Sequence, residues 1–529
     1  MNQPLLINDQ PLRYAPVADF VFRRRDCSGV EISPESSQKV AASHLRLMAL
    51  LEKRLPIYGV TTGFGDSCFR FIEREKSEQL QANLVSYLLC GTGPLLPVEA
   101  SRATLLIRLK SLCRGYSGVS LELIERMRLF LERDWIPAIP REGSLGASGD
   151  LIPLAYLARA LQGEGELHVG GTLRPTAEVL KAAGVEPYRF KPKEGLALVN
   201  GTSAMAGLFL VNLTQAKFLG ELACVATSWL CLALKGRLEA FGELVNEKVH
   251  AHPGQARVAR TIRTLLAEES HRAPQLAQIA VRDSLTEEPV QDRYSLRCTP
   301  QVLGPVFETL AQLEDWLETE LNGVSDNPLI DEDGSLAMGG NFYGGYLGQG
   351  MDYLKISLAH LADLTDRQLM LVIDEKSNRG LPANLAAWNV IPHEDRYLHH
   401  GLKGLHQAVS AITSEILARA IPNGIFSRSS ESHNQDKVSL GMSAAVQCSQ
   451  MLEPLFTTLA MHLTCLCQAL DLRELTLKGE DSRNLYRLVR KHVPFVSRDT
   501  ALGENIRALA ASLQSLAHER GTPLHHRAP

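Results

Sequence analysis

The stretch Pro305-Val-Phe-Glu-Thr-Leu-Ala-Gln-Leu-Glu-Asp-Trp-Leu-Glu-Thr-Glu-Leu321 sets Val306, Leu310, Leu313, Leu317 and Leu321 three or four residues apart, the spacing of one helix face. Downstream, Leu354, Leu358, Leu361 and Leu369 repeat the pattern, and Met442 to Leu470 predicts a long apolar helix kinked at Pro454. Upstream, Ser33-Pro34-Glu35 is a helix start, with Ser as N-cap, Pro in the first turn and an acid near the positive end. Val40, Leu45, Met48 and Leu51 follow as its apolar face. Strand signals are few and short, at Leu5-Leu-Ile7 and at Glu166-Leu-His-Val169 beside Gly170-Gly171. The expectation is a mainly α protein of long antiparallel helices. A loop-rich region over 1–200 precedes a long-helix region over 201–529, the two forming one continuous structural unit.

The 529 residues suffice for a large buried core. An apolar share of 45% with 22% charged residues places the chain among ordinary globular proteins. A net charge of −4 with mixed signs gives no electrostatic case for nucleic acid or an anionic membrane. The ten cysteines are scattered, Cys465-x-Cys467 being the one close pair, without zinc spacing, so no metal is expected. They read as reduced thiols of a cytoplasmic protein. The N-terminus lacks a basic segment followed by an apolar one, so no signal peptide is expected. The apolar run Leu208–Leu234 is interrupted by Lys217 and Glu221 and reads as a buried bundle helix, not a membrane span.

Several segments are polar or Gly-rich where a bundle favours plain helix. Tyr58-Gly-Val-Thr-Thr-Gly-Phe-Gly65 cannot be a stable helix and reads as a loop carrying a phenol; no Lys-Ser/Thr follows to suit it for phosphate. Gly143-Ser-Leu-Gly-Ala-Ser-Gly-Asp-Leu-Ile-Pro-Leu154 holds Ala147-Ser148-Gly149 just before an apolar helix. Gly149 permits a turn sharp enough for its amide nitrogen to attack the Ala147 carbonyl. Loss of water from Ser148 would then leave a methylidene-imidazolone. The helix N-terminus, with Asp150 as N-cap, would set donors and positive charge beside that turn. Asn200 ends the apolar run 196–200 at an Asn-Gly turn and can donate in a buried site. In Gln291-Asp-Arg-Tyr-Ser-Leu-Arg-Cys298, Arg297 can clamp a carboxylate in bidentate fashion. Ser325-Asp-Asn-Pro-Leu329, Gly339-Gly-Asn-Phe-Tyr-Gly-Gly345 and Ser432-His-Asn-Gln-Asp-Lys437 complete the set. Taken singly, each segment reads more simply as turn chemistry or a solvated stretch.

In this order, YGVTTGFG, LQANLV, GSLGASGDLIPL, LALVNGT, QDRYSLRC, SDNPL, GGNF and HNQD resemble the aromatic amino acid ammonia-lyase family, which comprises histidine, phenylalanine and tyrosine lyases and related 2,3-aminomutases. The resemblance runs from about Ser33 to about Leu475. It implies a helical bundle of the fumarase/ammonia-lyase type and homotetramers whose sites combine three subunits. It also implies a 4-methylidene-imidazole-5-one group formed autocatalytically from Ala147, Ser148 and Gly149, with no metal or external cofactor. Tyr58 matches the base that removes the β-proton, and Asn200 the amide contacting prosthetic group and substrate. Tyr294 and Arg297 match the second tyrosine and the carboxylate-binding arginine, and Gln291, Asn327 and Phe342 further site residues. As a base, Tyr58 needs a lowered pKa, expected from the helix end and nearby cations. Thr61, Arg293 and Tyr343, beside the motif residues, depart from the family's usual Asn, Pro and His.

Two positions bear on the substrate. Gln435 stands where histidine lyases usually have Glu, which argues against histidine. Tyr87-Leu88 matches neither the His-Leu of tyrosine lyases nor the Phe-Leu of plant phenylalanine lyases. The Tyr87 hydroxyl can pair with a substrate phenol, or the ring can simply fill space. The expectation is elimination of ammonia from L-tyrosine, or L-phenylalanine, to the trans-arylacrylate. The alternatives are a histidine lyase giving urocanate and a 2,3-aminomutase.

Overall fold

The computed structural model describes residues 4–24, 29–272, 279–282, 285–286 and 289–524. The fold is mainly α, as expected. Its longest helices are Ser203–Ala233, Thr299–Leu321, Gly345–Ile373 and Gly441–Leu472. Val306, Leu310, Leu313, Leu317 and Leu321 are all buried, as are Leu354, Leu358, Leu361 and Leu369. Pro454 lies inside its helix without ending it. Ser203–Ala233 and Gly441–Leu472 are long and apolar enough to cross a membrane, but 89% and 83% of their most apolar windows are buried within the protein, as in core helices. Among the described residues, no cysteine is in a disulfide.

Two compact units emerge. The first comprises Met1–Leu213, Leu313–Asp352 and Pro422–Cys448; the second comprises Thr214–Gln312, Tyr353–Ile421 and Ser449–Pro529. The chain passes between them four times inside the helices Ser203–Ala233, Thr299–Leu321, Gly345–Ile373 and Gly441–Leu472, and once in the loop at Ile421-Pro422.

The first unit holds the short strands. Leu5–Ile7 pairs in parallel with Val30–Ile32, and Thr92–Leu95 pairs antiparallel with Pro140–Glu142. Glu166–Val169 and Thr172–Pro175 form a hairpin turned by Gly170 and Gly171, whose φ values of 57° and 81° are those a two-residue turn demands. The helix Pro34–Glu52 starts as read, with the Ser33 hydroxyl accepting from the Ser36 N–H at 3.2 Å. Its buried face is displaced from the expected one. Leu45 is 69% exposed, while Leu47, Leu50 and Leu51 pack with Ile57, Val60 and Ile330. Leu47 lies seven residues from Val40 and shares its face; Leu45, five residues on, does not. This cluster anchors the chain on either side of Tyr58.

The helix Val98–Leu112 is buried all round, charged side chains included: Arg102, Arg108 and Lys110 are each 6% exposed or less. In the second unit, Gln368 on Gly345–Ile373 donates to Thr227, Thr299 and the Ser295 carbonyl, joining three helical segments by one buried amide.

Candidate active site

The site is built on the turn between Glu142 and the helix Leu151–Leu161. Gly146, Ser148 and Gly149 have φ values of 73°, 60° and 77°. Glycine adopts this region freely, but for Ser148 it is strained. A Cβ at Gly149 would stand 2.1 Å from the Gly201 carbonyl oxygen, so no other residue fits. Gly149 and Gly201 lie side by side in a parallel bridge, with Gly201 N–H donating to Ser148 O at 3.2 Å and Asp150 N–H to Gly201 O at 2.7 Å. The turn is thus clamped against the end of the helix Glu194–Val199, which delivers Asn200. Asn200 Nδ2 donates to Ser148 O at 3.3 Å, while its Oδ1 is buried without a partner. Gln435 Nε2 reaches Ser148 Oγ at 3.5 Å across 287 residues of sequence.

Asp150 begins the helix Leu151–Leu161 but does not cap it with its side chain. Its carboxylate accepts from Ser144 Oγ at 3.0 Å and from the Met205 N–H at 2.7 Å, in the first turn of Ser203–Ala233. Complete burial pushes its pKa up to about 7, against the lowering effects of those donors and of Arg108.

Tyr58 shares one cavity of about 430 Å³ with this turn. Its hydroxyl accepts from the Gly65 N–H at 2.9 Å, and its ring meets Phe64 edge-on. Thr61 holds the loop by accepting from Ile57 N–H and donating to the Leu55 carbonyl, both at 2.8 Å. Gln81, fully buried, donates to the Gly59 carbonyl and accepts from the Leu196 N–H, so one side chain joins the Tyr58 loop to the helix that carries Asn200. The expected lowering of the Tyr58 pKa is not met within the chain. Burial raises it; the Gly65 N–H opposes that, and the Glu431 carboxylate and Cys68 add to it.

Tyr87, the last residue of the helix Ser77–Tyr87, and the following Leu88 line the same cavity. Burial, Tyr58 and Glu431 push the Tyr87 phenol up to about 12, so at neutral pH it remains a donor. Glu431 lies beside Gln435 in this lining and escaped the sequence reading. Its Oε1 accepts from the Asp66 N–H at 2.9 Å and its Oε2 from Asn434 at 2.8 Å, so it closes on the loop that bears Tyr58. A Glu in a Ser- and His-rich turn has no periodicity to reveal it; its nearness to HNQD was the available signal.

Tyr58, Tyr87, Leu88, Ala147, Ser148, Gly149, Asn200 and Gln435 therefore share one cavity. The remaining expected residues do not line it. Asn327 accepts from the Gly339 N–H at 2.8 Å and so fixes the turn Asn341–Tyr343 that contains Phe342. That turn borders a different cavity of about 630 Å³. Gln291, Tyr294 and Arg297 belong to the second unit, where Gln291 and Tyr294 line a further cavity of about 450 Å³. The Arg297 guanidinium lies 4.6 Å from the Tyr294 ring centre, and Tyr294 is 71% exposed.

The Ser148 turn suits a backbone-derived ring. It has consecutive left-handed residues at Ser148 and Gly149, a cradle any Cβ at Gly149 would fill, and an orphaned Asn200 oxygen beside it. Among the described residues, no group of three or more His, Cys, Asp or Glu could hold a metal ion.

Residues 15–491 match the model of the family described as aromatic amino acid lyase. The chain is 38% identical over 502 residues to a tyrosine ammonia-lyase of Cereibacter sphaeroides, covering 92% of this chain and 93% of that protein. It is 35% identical to a histidine ammonia-lyase of Bacillus subtilis, covering 95% of each. The crystal structure of a tyrosine aminomutase from Streptomyces globisporus superposes with a TM-score of 0.91 at 32% identity, covering 99% of this chain and 100% of that one. With the family model spanning most of its length, the chain belongs to the aromatic amino acid lyase family of carbon–nitrogen lyases.

Proposed function

We propose that this enzyme eliminates ammonia from L-tyrosine to give trans-coumarate, with L-phenylalanine as the slower substrate. The observation that carries the reading is the shared cavity, in which the Ser148 turn, Asn200 and the neutral Gln435 face the same space as the Tyr58 and Tyr87 phenols. Ala147, Ser148 and Gly149 would supply the 4-methylidene-imidazole-5-one group, held by Asn200 and Gln435. When present, that group supplies the electrophile that this elimination requires. Tyr58, through its phenolic oxygen, takes the β-proton. Tyr87 donates to a substrate phenol, which favours tyrosine over phenylalanine. Gln435 offers no charge to an imidazole, which weighs against histidine.

Arg297 orients the substrate carboxylate, and its charge favours the Tyr58 phenolate. We assign it, with Tyr294 and Phe342, to neighbouring copies in a cytoplasmic homotetramer with shared sites. The exposed Tyr294 ring and the buried, unpartnered Arg297 Nε support this assignment. The likeness to a tyrosine aminomutase over the whole chain favours one second reading, in which ammonia is returned to the β-carbon.

The test is incubation with L-tyrosine, L-phenylalanine and L-histidine, read by ultraviolet spectra and product masses. Coumarate should form fastest. Urocanate forming faster would overturn the substrate assignment, and β-tyrosine as the main product would establish the mutase.

A further inference from the structure

Beneath the Ser148 turn, within the first unit, lies a buried cluster of charges that the reaction above does not use. Lys193 Nζ meets Asp326 Oδ2 at 2.5 Å, both side chains fully buried. Arg108 is completely buried; its Nη1 donates to the Asn200 carbonyl at 3.1 Å and the Ala197 carbonyl at 3.3 Å, and its Nη2 to Ser325 Oγ at 3.5 Å. Burial lowers its pKa to about 10, while Asp326 and Asp150 raise it, so the guanidinium keeps its charge at neutral pH. A cation on the last carbonyls of the helix Glu194–Val199 sits where the helix dipole favours it. Arg108 also underlies Gly201, where an added Cβ would stand 1.9 Å from Nη2. Ser325 Oγ in turn accepts from the Thr202 N–H at 3.3 Å, and Asp326 Oδ1 from the Asn327 N–H at 2.7 Å.

We propose that Arg108 is a positioning residue for the prosthetic-group turn, holding the Asn200–Gly201 backbone in the register that clamps Ser148–Asp150. This rests on the reading that Ala147-Ser148-Gly149 cyclises. Closure joins the Gly149 nitrogen to the Ala147 carbonyl carbon. The Ala147 oxygen leaves as water with the protons of the Gly149 and Ser148 nitrogens; the Ser148 hydroxyl leaves as a second water with the Ser148 Cα proton. The Gly201–Ser148 and Asp150–Gly201 hydrogen bonds fix the turn in which this happens, and Arg108 fixes Gly201 from its other side. Lysine keeps the charge but cannot reach three acceptors in a planar fork.

The test uses the full chain with Arg108→Lys and, as a milder change, Ser325→Ala. Three quantities are read: melting temperature, the mass of the proteolytic fragment containing Ser148, and kcat and KM for L-tyrosine separately. Arg108→Lys should fold, show a fraction of fragments that have not lost two waters, and lose about a hundredfold in kcat as a misplaced site would. Its KM should stay within about threefold of wild type. Ser325→Ala should show the same changes to a smaller degree. A lower melting temperature with complete water loss and unchanged kcat would make Arg108 merely structural and overturn the proposal. If Arg108→Lys does not fold, Ser325→Ala with wild-type mass and kcat overturns it equally. A wild-type fragment lacking the two-water loss would defeat the cyclisation reading instead, and the kcat of the variants would still decide whether Arg108 positions Asn200.

Discussion

The side-chain amide of Asn200 donates to the Ser148 carbonyl at 3.3 Å, and its Oδ1, though buried, has no partner. A buried acceptor left unpaired costs about 1–3 kcal/mol, a price a fold tolerates where the atom is held ready for something else. Asn200→Ala should therefore leave the melting temperature near wild type while lowering kcat about a hundredfold, the scale of a lost, preorganised polar contact. Steady-state kinetics beside thermal melting checks this; unchanged kcat would remove Asn200 from the site.

The Tyr58 phenol is held above its ordinary pKa by burial, with Glu431 adding to the shift. A base must be deprotonated, so activity limited by Tyr58 should climb with pH. Glu431→Gln removes a negative charge that disfavours the phenolate, so the rising limb of kcat/KM should move to lower pH. A limb unmoved, or moved upward, would show that Glu431 does not act on Tyr58. Tyr58→Phe should abolish the limb together with the activity.

Asp150 gives a stability prediction of definite sign. Its pKa, pushed up to about 7 in the folded chain, lies above the ordinary 3.8, so the folded state holds a proton that the unfolded state releases. Its contribution is full below the unfolded value and is lost as pH rises through the folded one. In the window between them, stability should fall by up to about 1.4 kcal/mol per pH unit from this group alone. The melting temperature of wild type minus that of Asp150→Asn should therefore grow as pH is lowered from 8 to 5. A constant difference would mean that Asp150 stays ionised, held by Arg108.

The helices were legible because their apolar residues recur on one face and that face is buried, as at Val306, Leu310 and Leu313. Leu45 misled because a leucine near the stripe counts as apolar whether or not it faces inward. The helix Val98–Leu112 offers no stripe at all, being buried all round, so nothing in its pattern singles out Arg108. The Ser148 turn was legible in outline, since its glycines announce a bend. Its partners Gly201 and Gln435 come from 52 and 286 residues beyond Gly149, a distance no local pattern spans. Glu431 was hidden for the same reason. The side-chain role expected of Asp150 as cap of its own helix went instead to Met205, because the parallel bridge of Gly149 with Gly201 brings the start of Ser203–Ala233 alongside.

Tyr87 decides between two uses of one ring. It ends the helix Ser77–Tyr87 and lines the cavity with Tyr58 and Ser148. Because its phenol stays protonated to about 12, it is a neutral donor over the working range, able to pair with a substrate hydroxyl. Tyr87→Phe keeps the ring and removes only that donor. The ratio of kcat/KM for L-tyrosine to that for L-phenylalanine should fall by about tenfold, the worth of one neutral hydrogen bond of roughly 1 kcal/mol or slightly more. Tyr87→His, which restores a donor, should recover preference for tyrosine. Competition between the two amino acids in one vessel, scored by the coumarate-to-cinnamate ratio, measures this free of enzyme concentration. An unchanged ratio in both variants would assign Tyr87 to packing and leave substrate choice to Leu88 and Gln435.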